Sequence, residues 1–142
     1  YVRFGGWNVT GDVYVQDADG YFTYQCRSDD MIVSGGYKIP GPEVEHVLDE
    51  HPAVAESAVV AAPDRIRGFV VKAFVVLRDP GRASPELVSE LQEHAKRELA
   101  PYKYPRAVEF VERLPRTATG KIQRYILRKA DVVPYDPDNP AR

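Results

Sequence analysis

At 142 residues the chain has the length of one domain and enough material to bury a core. It is 44% hydrophobic and 28% charged, with a net charge of −2, which excludes a general nucleic-acid binder because such a protein carries a basic excess. No apolar run approaches the roughly 20 residues of a membrane span, and the single cysteine, Cys26, cannot close an internal disulfide, which fits a reducing cytoplasm.

The chain opens at Tyr1 without a methionine or a charged-then-apolar leader, and reads as the tail of something longer. Alternation predicts a β-hairpin over residues 7–25, with Val13, Val15, Phe22 and Tyr24 flanking a turn at Asp17-Ala18-Asp19-Gly20. After the polar run Arg27-Ser28-Asp29-Asp30, residues 31–39 read as two short strands around Gly35-Gly36. Pro40-Gly41-Pro42 then opens a helix, with Pro42 suited to a first helical position. Val44, Val47 and Leu48 share its apolar face, while Glu43, Glu45, Asp49 and Glu50 read as its solvated surface.

Residues 54–62 and 69–77 are apolar, β-branched runs and are expected to pair as core strands. Ser84-Pro85-Glu86 is a helix start, and Leu87, Leu91, Ala95 and Leu99 recur every four residues along one face. An aromatic-basic loop, Tyr102-Lys103-Tyr104-Pro105, precedes a strand over 107–111, and a short helix over 124–130 closes the fold. The order predicts an α+β domain: a small mixed sheet flanked by helices and preceded by a hairpin. Residues 134–142, rich in Pro, Asp and Asn, read as a flexible tail. His46, His51 and His94 lack ligand spacing with cysteine or acids, so no metal site is expected, and Cys26 reads as a half-buried strand-end residue.

The stretch Leu114-Pro115-Arg116-Thr117-Ala118-Thr119-Gly120-Lys121 carries the chemistry. A lysine straight after a glycine is a compact point charge with three donors, suited to an anionic oxygen. On spacing alone it is equally a solvated hairpin lysine.

Taken together, Thr10-Gly11-Asp12, Arg27-Ser28-Asp29-Asp30-Met31-Ile32, Gly35-Gly36-Tyr37-Lys38-Ile39 with Glu43-Val44-Glu45, and the Pro-Arg-Thr-Ala-Thr-Gly-Lys stretch resemble, in that order, the C-terminal part of the adenylate-forming enzymes. Those are the acyl- and aryl-CoA synthetases, the adenylation domains of peptide synthetases and the luciferases. The wording of residues 28–37 and 100–106 resembles benzoate and 2-aminobenzoate CoA ligases in particular. The resemblance implies an acid–thiol ligase: a carboxylic acid and ATP, with Mg2+, give acyl-AMP, and coenzyme A then displaces AMP. It implies that residues 1–26 end a large N-terminal adenylating domain, that residues 27–133 form a mobile lobe swinging between two poses, and that this chain alone folds but is inactive.

Residue by residue, the resemblance makes Lys121 the catalytic lysine and the target of a protein lysine acetyltransferase. Asp12 takes the nucleotide's ribose hydroxyls, or is an ordinary turn aspartate. Arg27 reaches the nucleotide, or is a structural ion-pair partner. Asp29 is the hinge, unless Asp29 and Asp30 cap a turn. Gly35 and Gly36 line the pantetheine tunnel, a role compatible with a β-bulge. Tyr102, Tyr104 and Arg106 meet the nucleotide end of coenzyme A, joined by Arg67, or are surface loop residues. Two rival readings remain: an adenylation domain loading a carrier protein, and a non-enzymatic α+β module sensing an anionic ligand.

Overall fold

The computed structural model describes residues 2–4 and 7–129. Two short strands, β1 (Val2–Phe4) and β2 (Trp7–Val9), pair antiparallel, and β3 (Asp12–Gln16) pairs separately with β4 (Phe22–Arg27). The single hairpin expected over 7–25 is therefore two. Residues 7–9 turn back on 2–4, and the Thr10 hydroxyl accepts the Asp12 amide at 3.4 Å, a local bond that breaks the strand between them. The turn between β3 and β4 is as expected: the Asp17 carboxylate accepts the amides of Asp19 and Tyr21 at 3.0 and 2.9 Å.

A 3-10 turn, Ser28–Asp30, leads into β5 (Met31–Ser34) and β6 (Tyr37–Pro40). Gly35 and Gly36 join them with φ of 56° and 85°, and the pairing runs from Met31–Pro40 to Ser34–Tyr37 without a register shift. Two central residues at positive φ make a primed hairpin turn, which follows the strand twist, and not a β-bulge. Helix α1 (Gly41–Asp49) follows, then the long antiparallel strands β7 (Val54–Asp64) and β8 (Gly68–Leu77). Helix α2 (Pro85–Glu98) is capped by Ser84, whose hydroxyl accepts the Leu87 amide at 3.1 Å. Strand β9 (Ala107–Phe110) adds parallel to β8, and α3 (Arg124–Lys129) ends the described chain. The domain is α+β with a mixed three-stranded sheet. The tail expected over 134–142, and Ala130 of the last helix, lie outside the described residues.

Side chains of β7 and β8 alternate between two covered faces. One packs Val59, Val71, Ala73 and Val75 against Leu48 of α1 and Leu91 of α2. The other packs Ala58, Val60 and Phe74 against Leu114 and Leu127. Burial on both faces is why these strands read as nearly unbroken apolar runs. The second face also pins the chain on either side of Lys121.

Two expectations are corrected. Cys26 is wholly buried at the end of β4, not half-buried, and burial pushes its thiol above the ordinary range. The acids of α1 are not one solvated surface. Glu45 is buried, Asp49 accepts the Ser57 hydroxyl at 2.7 Å, and Glu43 pairs with Lys103 at 2.9 Å. The helix lies across β7 and the 102–105 loop, so a face that periodicity marks as polar meets polar partners there. The histidines are structural ties as well: His51 accepts the Ala53 amide at 3.1 Å and faces Glu90 at 2.9 Å, and His94 reaches the Val47 carbonyl at 2.9 Å.

Candidate functional site

Residues 114–123 form a small hairpin projecting from the second core. Arg116 bridges Ile122, the Thr117 amide donates to the Lys121 carbonyl at 2.8 Å, and the Gln123 amide donates to the Pro115 carbonyl at 2.9 Å. Gly120 sits at φ 85°, where a side chain would be strained, and its amide donates to Thr117 O at 2.9 Å. The Thr117 hydroxyl accepts the Lys121 amide at 3.1 Å and meets the Thr119 hydroxyl at 3.0 Å. Arg116 donates to the Gly120 carbonyl at 2.7 Å and forms an ion pair with Glu56 of β7. The Arg116 and Thr117 side chains thus hold the backbone of the hairpin, and Thr119 braces Thr117.

The Lys121 ammonium stands exposed, with no carboxylate within 4.0 Å among the described residues. It shares an open cleft with Tyr24, Arg27, Asp30, Arg116, Ile122 and Arg124. The other cations there are already answered: Arg27 by Asp12 at 3.2 Å, Arg116 by Glu56 and Arg124 by Glu45 at 2.6 Å. Among the described residues, an anion entering the cleft therefore meets one unpaired positive charge, held on a braced loop. Asp12 and Arg27 do come together, with Arg27 also donating to the Thr10 carbonyl at 3.0 Å; in this structure they bind each other at the cleft's edge.

Beneath the cleft, Glu45 accepts the Val59 amide at 2.8 Å and both arms of Arg124 at 2.8 and 2.6 Å. The bidentate bond to Glu45, largely out of water, holds the Arg124 guanidinium above its ordinary value. Asp29 sits in the 3-10 turn between β4 and β5 with its side chain exposed, and its carbonyl accepts Arg128 at 3.1 Å. Sequence reading missed Glu45, Glu56, Arg124 and Arg128. A signal existed for the last two, since Arg124 and Arg128 are one helical turn apart on the face following Lys121.

A second surface gathers the remaining residues. The Gly35 amide donates to the Arg67 carbonyl at 3.2 Å, tying the glycine turn to the 64–68 turn between β7 and β8. A Cβ on either glycine would meet nothing within 4 Å, so the space over the turn is open. Tyr37, next to it, stacks on Tyr102 with ring centroids 4.1 Å apart at 15°. Arg67 and Arg106 flank Asp64, whose carboxyl is held below the usual range first by the amides of Arg67 and Ile66. Tyr104 is partly buried against the main core, with Lys96 and Arg106 4.6 and 5.0 Å from its ring centre.

The two surfaces lie at opposite ends of β7. The Lys121 hairpin is tied to Glu56, and the glycine turn meets the 64–68 turn. The eight residue-to-residue steps from Glu56 to Asp64 span about 26 Å at roughly 3.3 Å each. No helix of the described residues is long and apolar enough to cross a membrane.

The family described as the AMP-binding enzyme C-terminal domain matches residues 43–121. The chain is similar to the mitochondrial acyl-coenzyme A synthetase ACSM4 of Homo sapiens, 60% identical over 126 residues, 87% of this chain and 22% of that protein. Among solved structures it resembles the anthranilate CoA ligase AuaEII in complex with anthranoyl-AMP, with TM-score 0.78 and 48% identity over 89% of this chain and 24% of that one. It also resembles the o-succinylbenzoate CoA synthetase MenE of Bacillus subtilis in complex with OSB-AMP, with TM-score 0.78 and 39% identity over 94% and 26%. The chain spans about a fifth to a quarter of the length of the relatives it matches.

Proposed function

From the premise that this chain belongs to the AMP-binding enzyme C-terminal domains, we propose that it is the mobile lobe, residues 27–133, of an ATP-dependent acid–CoA ligase, with residues 1–26 ending the adenylating domain. The observation that carries this is the Lys121 ammonium, unpaired among the described residues, in a cleft whose other cations are neutralised. In the first half-reaction an acid carboxylate attacks the α-phosphate of ATP, pyrophosphate leaves and acyl-AMP forms. Lys121 lies between the two anions as charge gathers on both. Unit charges about 4 Å apart attract by roughly 4 kcal/mol at an intermediate dielectric, before desolvation. Asp12 and Arg27 trade their mutual bond for contacts to the nucleotide.

In the second half-reaction the coenzyme A thiol attacks the acyl carbon and AMP leaves. The glycine turn, Tyr102, Tyr104 and Arg106, joined by Arg67, receive coenzyme A there. Open space over Gly35 and Gly36 supports that role, and the distance along β7 supports a lobe that turns about Asp29 between steps. Magnesium accompanies ATP as part of the substrate. A carrier-protein phosphopantetheine would use the same turn, and thioester trapping with free coenzyme A separates the two acceptors.

The substrate we propose is an aromatic acid such as benzoate or 2-aminobenzoate, supported by the 48% identity to a ligase named for anthranilate. Pyrophosphate release by the full-length protein across benzoate, 2-aminobenzoate and acetate tests it: the aromatic acids should lead, and a preference for acetate contradicts it. The isolated chain should fold and release none. We place the enzyme in the cytoplasm, on the free thiol of this chain's single cysteine; the human relative carries a mitochondrial name, and imaging the tagged full-length protein decides. A lysine acetyltransferase is the proposed regulator, since Lys121 is exposed and acetylation removes its charge.

Two variants probe the turning lobe. Asp29→Pro, which fixes φ at the pivot, should slow one half-reaction far more than the other; equal slowing of both removes the hinge. Gly36→Val places a branched side chain at φ 85° in the open space over the turn and should depress thioester formation by about tenfold or more while sparing adenylation.

A further inference from the structure

We infer that Arg128 is the positioning residue that sets where the lobe pivots, an inference that rests on reading the 28–30 turn as the hinge. Arg128 lies on α3, whose Leu127 is buried against Ala58, Val60 and Phe74, so its backbone moves with the lobe. Its Nη1 donates to the Asp29 carbonyl at 3.1 Å and to the Asp30 carboxylate at 3.0 Å, and its Nη2 stands 4.0 Å from the Asp29 carboxylate. These acceptors do not move alike when the chain turns. The Asp29 carbonyl belongs to the rigid peptide plane between residues 29 and 30, downstream of both soft torsions of Asp29. By holding that plane and the next side chain together, Arg128 welds the chain from the Asp29 carbonyl onward to the lobe. Rotation is left to the φ and ψ of Asp29 and the residues before it.

The exposed Asp29 side chain is only loosely held, as a pivot requires, whereas the Asp30 side chain is mostly buried beside the Lys121 cleft. The clamp therefore joins the pivot to the helix that follows the catalytic loop. Without it the torsions of Asp30 also soften, the turn is shared over two residues, and Lys121 arrives less reproducibly. A misplacement near 1 Å lowers rates by up to about a hundredfold.

The test uses the full-length enzyme with one spin label on the exposed face of α2 and one on the N-terminal domain. Pulsed-EPR distances are measured with ATP and acid, then with coenzyme A added. Wild type should give two narrow populations. Arg128→Ala and, from the other side of the contact, Asp30→Asn should both broaden them, and Arg128→Lys should restore part of the sharpness. Adenylation kcat should fall by on the order of tenfold with KM for ATP unchanged. Wild-type widths in Arg128→Ala or Asp30→Asn, with Asp29→Pro collapsing the populations to one, leave the hinge standing and overturn the clamp. Two unchanged populations in Asp29→Pro overturn the hinge and the clamp with it.

Discussion

Replacing Lys121 with alanine is expected to lower the rate of acyl-adenylate formation by a factor on the order of a thousand, the scale seen when a preorganised charge donor is removed from a transition state. The loss should fall on kcat, because the ammonium matters most where charge has built up on both the carboxylate and the α-phosphate. Lys121→Gln should lose as much, since the neutral amide keeps the length of the side chain but not its charge, and full acetylation of the wild type should reproduce that value. Folding should be untouched: the side chain is exposed and unpaired among the described residues, and the hairpin is braced by Arg116, Thr117 and Thr119. Pyrophosphate release and a melting curve on each variant check both halves of this expectation.

The second large effect is on stability. Glu45→Ala removes the acceptor of the Val59 amide and of both arms of Arg124, leaving a partly buried guanidinium unanswered. Breaking a buried pair in this way costs about 3–5 kcal/mol. For a domain of this size that lowers the melting temperature by about 10–17 °C. Replacing both partners with apolar residues, Glu45→Leu with Arg124→Met, should cost much less than either single change. Equal melting temperatures for Glu45→Ala and wild type, by calorimetry of the isolated chain, contradict the assignment of Glu45 as a structural anchor.

How far the fold could be read in advance follows from the physics of each element. Strands β7 and β8 were legible because both faces are apolar, and α2 because Ser84-Pro85 announces its start and four-residue spacing its face. The first hairpin was not, because the break at Thr10 rests on one side-chain bond that alternation does not reveal. The acidic residues of α1 misled for a similar reason: Glu45 looks like a surface acid until Val59 and Arg124 arrive from residues fourteen and seventy-nine positions away. Local order marked Lys121 and the glycine pair, since φ above zero and a charge after glycine are visible in a short string. The braces around them are long-range ion pairs, and a single sequence carries no distance.

The central claim is that one lobe offers a cation and a glycine turn, at opposite ends of β7, to the same nucleotide site in succession. Its most direct test measures the two half-reactions separately in full-length Lys121→Ala and Gly36→Val: adenylation from acid and ATP, and thioester formation from supplied acyl-adenylate and coenzyme A. Opposite patterns are predicted, with Lys121→Ala failing only at the first and Gly36→Val only at the second. Parallel losses in both variants would mean that the two surfaces serve one step, and would contradict it.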